Sequence, residues 1–409
     1  MRATKSTMRV IHISFSSTGG AGGAASYLVK RQRSSDIDAS LVSTTSDDLL
    51  AIWRRHPATF LSGLLDYFAV RKSESRTLFT LFRATPRQSM SHSPDLVHLH
   101  WTPGIVDSQA IEALLQSGTP VVSTLHDFWP LTGGCHFLQG CTKFTSSCHH
   151  CPQARRVFHP RVEHAYRNKA RLLSHPNHHL IAPSQWMYDL ADTHPSVHSS
   201  RLHHIPNLID LSAFAQPWRH RHHGGPPSST PLKLGFAAAQ INEPRKGLGL
   251  LVETCATLRS QGLDIELITA GSGRQRERHP WWHHFGSLHS KSELLEFYSQ
   301  CDLLVVPSFE DNAPTVLLEA GLSGIPVVAP GNSGAPEFIK HGWSGFICDS
   351  ADRLQATLTL AHQQRELLPT FGERLQQSLQ DALNEDRIMS QFLALYERCV
   401  AHGAGSGLS

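Results

Sequence analysis

Short apolar strands alternate with helical patterns along the chain, and they do so in two separate series. Val10–Phe15, Leu96–His100, Val121–Leu125 and His179–Ala182 make the first series. Lys233–Ala238, Ile265–Ala270, Leu303–Val306 and Pro326–Ala329 make the second. Strands separated by helical stretches are too far apart in sequence for hairpins, so they pair in parallel and bury both faces under helices. The class predicted is therefore α/β, with two Rossmann-like, doubly wound domains. Between the series, the segment 216–231 is rich in His, Gly, Pro and Ser and reads as a linker. The expected divisions are 1–215, 216–231, 232–386 and a C-terminal helix with tail, 387–409. In that helix Ile388, Phe392, Leu395 and Cys399 fall on one face, and the small residues after it are expected to fray. No repeat of 20–50 residues is visible.

The 409 residues suffice for two full cores, and 40% hydrophobic against 17% charged residues reads as globular. A net charge of only +3 argues against nucleic-acid binding by bulk charge. The start, Met1–Arg9, is polar and basic, with Met8 as an alternative start, and no secretory signal follows. No apolar run approaches the roughly 18 residues that span a bilayer. A cytoplasmic protein is expected. Ile52–Arg87 sets seven Lys or Arg against Asp66 and Glu74, with Trp and Phe between them. Such a stretch suits the inner face of an anionic membrane, and helices packed on the first domain are the alternative.

Pro307 to Ala320 is the richest segment. It follows a buried strand, runs through Glu310-Asp311-Asn312, and opens a helix at Pro314 and Thr315 with Val316, Leu317 and Ala320 apolar. A strand, polar loop and helix in an open α/β sheet form the place where ligands bind, and the helix start favours a phosphate. Glu319 sits in an otherwise apolar helix, where an unpaired carboxylate is costly. Ribose hydroxyls would satisfy it, as would a neighbouring cation. Asn242 to Gly247 follows another strand and carries Arg245 and Lys246, paired cations suited to a diphosphate.

These residues resemble the retaining family 4 glycosyltransferases of GT-B architecture. That family carries Glu, seven residues, Glu and Ala, then a Gly-x-Pro-Val-Val-Ala strand. Here the counterparts are Asp311, Glu319, Ala320 and Gly324 to Ala329, with Asp in place of the first Glu. The Glu310-Asp311-Asn312 run with Pro314 looks like the bacterial exopolysaccharide and O-antigen branch. The resemblance implies two facing domains across a cleft. It implies that Asp311 contacts the transferred sugar, a role Glu310 shares in the alternative, and that Glu319 binds ribose. Arg245 and Lys246 then act on the leaving diphosphate in place of a catalytic metal. Asn312, Thr315 and Val316 line the donor, and Gly271 belongs to a small-residue turn near the nucleotide. Gly286–Leu288 reads as a strand leading to the helix that cradles the base.

In the first half, Thr18 to Ala25 is a Gly-rich turn from strand to helix, which lets backbone approach a ligand. By resemblance Gly19, Gly20 and Gly22 lie over the donor phosphates and acceptor. His126-Asp127 ends a strand, and the family places a His near the transferred sugar at such a position. Asp127 either orients that imidazole or points elsewhere, as neighbours on an extended chain do. His98 and His100, two apart on a strand, share a face and are further candidates. Cys135, Cys141, Cys148 and Cys151 follow, the last pair with a two-residue gap. Four soft ligands suit a structural Zn²⁺ with no open position, free thiols being the alternative.

The expected function is transfer of a sugar from a UDP- or GDP-sugar to a polysaccharide or lipid-linked saccharide, with retention. No nucleic-acid partner is expected. A sugar epimerase or phosphorylase and a non-catalytic sugar-nucleotide-binding scaffold are the competing classes.

Overall fold

Each strand series folds into its own six-stranded, all-parallel sheet. This is a computed structural model; it describes residues 7–43, 66, 68–69, 94–214, 230–275, 279–308 and 310–405. The basic stretch Ile52–Arg87, apart from Asp66, Phe68 and Ala69, lies outside the described residues, as do nearly all of the linker and the end of the tail.

The first sheet holds β1 (Arg9–Ile13), β2 (Asp38–Val42), β3 (Leu96–Leu99), β4 (Val121–Thr124), β5 (His178–Ala182) and β6 (Leu202–His204). Their order is β2-β1-β3-β4-β5-β6. Its helices are α1 (Gly19–Arg33), α2 (Ser108–Gln116), α3 (His159–Leu173) and α4 (Gln185–Asp192). The second sheet holds β7 (Leu232–Gln240), β8 (Ile265–Ser272), β9 (Trp282–His284), β10 (Leu303–Val305), β11 (Val327–Pro330) and β12 (Phe346–Cys348), in the order β12-β11-β10-β7-β8-β9. Around it lie α5 (Leu248–Ser260), α6 (Lys291–Ser299), α7 (Thr315–Leu322), α8 (Leu354–Gln363) and α9 (Leu368–Ala382). The last helix is α10 (Glu385–Gly405).

Central strands are buried throughout: β3, β4 and β10 have no exposed position. Leu251, Cys255 and Leu258 of α5 join Leu234, Leu267 and Leu303 of the second sheet in one core. Each such leucine contributes about 2 kcal/mol by leaving water.

The chain divides into two compact units. One runs up to Ile209 and takes back the last helix; the other spans Asp210–Asn384. The helix α10 buries the face anticipated from the sequence, with Ile388, Phe392, Leu395 and Cys399 at most 3% exposed. It does so on the first unit: Tyr27 Oη donates to Glu385 (2.7 Å), and Tyr396 Oη meets His98 Nδ1 (2.6 Å). Burial of an apolar stripe, rather than adjacency in sequence, decides which sheet a terminal helix joins.

In each sheet the strand order reverses at one point, between β1 and β3 in the first and between β7 and β10 in the second. Helices diverge to opposite faces there, and the loops at the strands' carboxyl ends leave a crevice.

Candidate active site

The loops after β7 and β10 flank the reversal point of the second sheet, and the cations and the acidic run meet there. Pro244–Lys246 forms a single helical turn that ends at Gly247 (φ 78°). A side chain on Gly247 would collide with the Pro307 carbonyl, so the absence of Cβ allows the two loops to touch. Lys246 Nζ donates to Asp311 Oδ2 at 2.7 Å, and Arg245 Nη1 lies 3.7 Å from the same oxygen. Arg245 also donates to the Glu310 carbonyl (2.9 Å) and to Glu243 Oε1 (3.0 Å). The Asp311 side chain is 15% exposed, so these pairs sit partly out of water, where the attraction is stronger than at an open surface. The fork of Arg245 is thus fixed before any ligand arrives. Glu310 and Asn312, flanking Asp311, are buried.

Thr315 opens α7 and stands one turn before Glu319, with Val316 beside it; all three are half-buried. Leu317, Leu318 and Ala320 fix the helix from its apolar side. Glu319 Oε2 accepts a hydrogen bond from Tyr298 Oη on α6 (2.8 Å). Burial raises this carboxyl from 4.5 to about 6, against the Tyr298 hydrogen bond and the pull of Lys291, which lower it. The sequence left its partner open between ribose and a cation; in the structure a tyrosine hydroxyl meets it. Gly271 lies near the end of β8, packed against the Ala238 carbonyl beside the loop that carries Arg245. Gly286–Leu288 is not a strand; the pairing strand before α6 is β9, Trp282–His284.

In the first unit, the turn after β1 enters α1 at Gly19, with Gly20 in open space and Gly22 packed on the Ser16 carbonyl. A Cβ at Gly22 would collide with that carbonyl, so the helix start closes onto the loop. His126 follows β4, and its Nε2 meets His100 Nδ1 at 3.1 Å. Burial lowers His126 to about 4, against the nearby Asp127, so the ring is neutral at pH 7. Asp127 does not orient it. The two side chains diverge: Asp127 Oδ2 pairs with His136 Nδ1 (2.6 Å) and Trp101 Nε1 (2.8 Å). Burial works to raise the Asp127 carboxyl, but His136, the Trp129 N–H and Trp101 hold it below its usual value.

His98 and His100 do share a face, and His12 joins them. His12 and His98 are register partners on β1 and β3. All three imidazoles are at most 6% exposed. Sequence reading passed over His12, Gln32 and Tyr396, which complete this group; the one available signal was a histidine inside the apolar run that β1 enters at Val10.

Cys135, Cys148 and Cys151 are buried among Phe128, Leu131, Leu138 and Phe144, while Cys141 is half-buried. Burial pushes the Cys148 thiol up to about 11 and the Cys135 and Cys151 thiols up as well. Their donor chemistry suits zinc, but the four sulfurs are not gathered into one ligand set. Among the described residues the group whose ligand atoms lie within 4.8 Å of one another is His12, His98 and His100. A cavity of about 440 Å³ between α2 and α3, lined by Leu99, Thr102, Val106, Ile111 and Lys169, is reached by His100 but by none of the other anticipated site residues.

The fold is that of the two-domain GT-B glycosyltransferases. Sucrose-phosphate synthase from Thermosynechococcus elongatus matches with a TM-score of 0.66 at 14% identity, over 97% of this chain and 100% of that one. HepE from Anabaena, solved in complex with UDP and glucose, matches with a TM-score of 0.61 at 15% identity, over 96% and 100%. Residues 18–213 match the family model described as Glycosyltransferase Family 4, and residues 231–363 the one described as Glycosyl transferases group 1. This chain belongs to the family 4 glycosyltransferases, and it is a transferase. WcaC of Escherichia coli K12, named for colanic acid biosynthesis, is 25% identical over 68% of each chain. The amylovoran biosynthesis glycosyltransferase AmsK of Erwinia amylovora is 28% identical over 30% of this chain and 33% of its own length. No helix among the described residues is long and apolar enough to cross a membrane.

Proposed function

We propose that this glycosyltransferase moves a sugar from a UDP- or GDP-sugar to a saccharide or lipid-linked saccharide, with retention at the anomeric carbon. The observation that carries the reading is the meeting of Arg245, Lys246 and Asp311 at the reversal point of the second sheet. Two cations held on one carboxylate are pre-oriented for a diphosphate, which gains charge as the sugar departs. Stabilising that charge is the task a divalent metal performs elsewhere, so these side chains supply it without one. Asp311 holds the cations in place and, once the diphosphate takes them over, is released toward the sugar. Glu319 accepts from ribose hydroxyls as it now accepts from Tyr298. In the first unit, Gly19 and Gly20 offer backbone to the substrate, Gly22 lets the helix start close onto that loop, and His126 offers a ring nitrogen.

The relatives lend support of a general kind. HepE is solved with UDP-glucose at 15% identity. A Campylobacter jejuni relative, 27% identical over 28% of this chain, is named as acting on a diphospho-undecaprenol-linked sugar. A lipid-linked acceptor would place the protein at the inner membrane face. The deciding experiment is thermal stabilisation by a panel of UDP, GDP and ADP sugars, followed by donor hydrolysis without acceptor. A shift with one nucleotide class and slow hydrolysis are expected. Indifference to every sugar nucleotide sinks the proposal, and binding without hydrolysis or transfer makes the chain a scaffold.

A further inference from the structure

The imidazoles of the first unit form an ordered chain of hydrogen bonds, and its sense is legible from one amide. Gln32 on α1 is fully buried. Its Nε2 donates to Tyr396 Oη at 3.2 Å, which turns its Oε1 toward His12 Nε2 at 2.7 Å. A carbonyl oxygen only accepts, so His12 carries its proton on Nε2. Burial keeps His12 neutral, lowered to about 4 against the Gln32 hydrogen bond. Its Nδ1 is therefore a lone pair, and His100 Nε2, 3.0 Å away, must donate to it. His100 is neutral for the same reason, burial first and the neighbouring histidines next. Its Nδ1 then accepts from His126 Nε2 at 3.1 Å.

The second branch follows from the same amide. Tyr396 Oη accepts from Gln32 and gives its own proton to His98 Nδ1 at 2.6 Å. His98 Nε2–H is left to donate to Thr124 Oγ1 at 2.8 Å. Turning the amide over would reverse both branches at once, so a single amide orientation decides the proton position on all these rings.

We propose that Gln32 sets the tautomer of His126 through three hydrogen bonds, holding the proton on Nε2 and leaving Nδ1 a bare acceptor for a substrate hydroxyl. Only that last clause rests on His126 meeting the substrate; the tautomer assignment stands without it. Gln32 is thus a positioning residue, and His126 acts as a neutral acceptor rather than a proton donor.

The test is nitrogen NMR of protein labelled with ¹⁵N-histidine, read through long-range proton–nitrogen correlations at neutral pH. The expected result is a single tautomer, Nε2–H, at His126, His100, His98 and His12. In Gln32→Leu the His126 signals are expected to move toward the average of two tautomers, although residue 32 does not touch that ring. In the same variant kcat should fall about tenfold with the donor KM held. Tyr396→Phe, which frees the amide without shortening the imidazole chain, should produce the same averaging and serves if Gln32→Leu does not fold. A proton on Nδ1 of His126 in the unaltered protein overturns the proposal, as does an unmoved His126 signal in both variants. If His126→Ala transfers sugar at the original rate, the substrate contact is wrong while the NMR result stands by itself.

Discussion

The two units place polar groups at the same kind of location, the reversal point of a parallel sheet, and keep them there by opposite means. In the second, Arg245, Lys246 and Asp311 are charged and 14 to 23% exposed, and ion pairs hold them. In the first, His12, His98 and His100 are nearly sealed from water and carry no charge. The difference follows from desolvation. A loop at a strand's end retains enough water for charge to persist, whereas on the buried face of a sheet only neutral, fully hydrogen-bonded groups survive. A charged site is suited to hold a charged ligand. A neutral imidazole chain is suited to fix geometry.

The contrast can be broken most sharply at the charged end. Arg245→Ala should lower kcat about 10²–10³-fold while far-UV circular dichroism and melting show an intact fold, because Lys246 still pairs with Asp311. Unchanged turnover would mean that the cations are solvated bystanders. His126→Ala removes a neutral acceptor and should slow transfer about 10²-fold, with weaker dependence on ionic strength than any change at Arg245.

Glu319 lies between the two regimes, and its pH dependence measures how far. Its folded-state pKa is raised from 4.5 to about 6, so between those values the folded chain binds more protons than the unfolded one. Stability attributable to this group therefore falls as pH rises through that window, by about 2 kcal/mol, and is level above it. Denaturant melts of the unaltered protein and Glu319→Gln should differ by that slope. On the proposed ribose contact donor affinity runs the other way, since the ionised carboxylate is the stronger acceptor of a hydroxyl's hydrogen bond. It should weaken about tenfold from pH 7 to pH 5 and lose that dependence in Glu319→Gln.

The cysteine segment gives the smallest effect. Its spacing and soft donors lead us to expect about one zinc per chain, bound as thiolates once the four sulfurs draw together. Metal analysis with thiol titration decides it; four independently titrating thiols and no zinc would leave the first unit without any metal-held charge.

Legibility in the sequence followed position in the sheet. Among the described residues, the eight strands anticipated from apolar runs are the eight interior strands, β1, β3, β4, β5, β7, β8, β10 and β11. The four passed over, β2, β6, β9 and β12, are the four edges. An edge strand has a neighbour on one side only and needs no continuous apolar run; Trp-His-His in β9 and Leu-His-His in β6 carry almost none. The loop that carries Asp311 was equally legible, because the strand, the polar run and the helix start lie in one window of sequence.

The sequence by itself determined that two parallel sheets form, which loops end their strands, and that cations and carboxylates occupy those loops, since periodicity and turn chemistry are local. Only the tertiary structure decided that Asp127 serves His136 rather than His126, that Glu319 rests on Tyr298, and that α10 returns to the first unit. Those outcomes are contacts between distant residues, such as Gln32 and Tyr396, 364 positions apart. Which polar groups meet at that separation is fixed by strand register and by the demand that every buried donor find an acceptor.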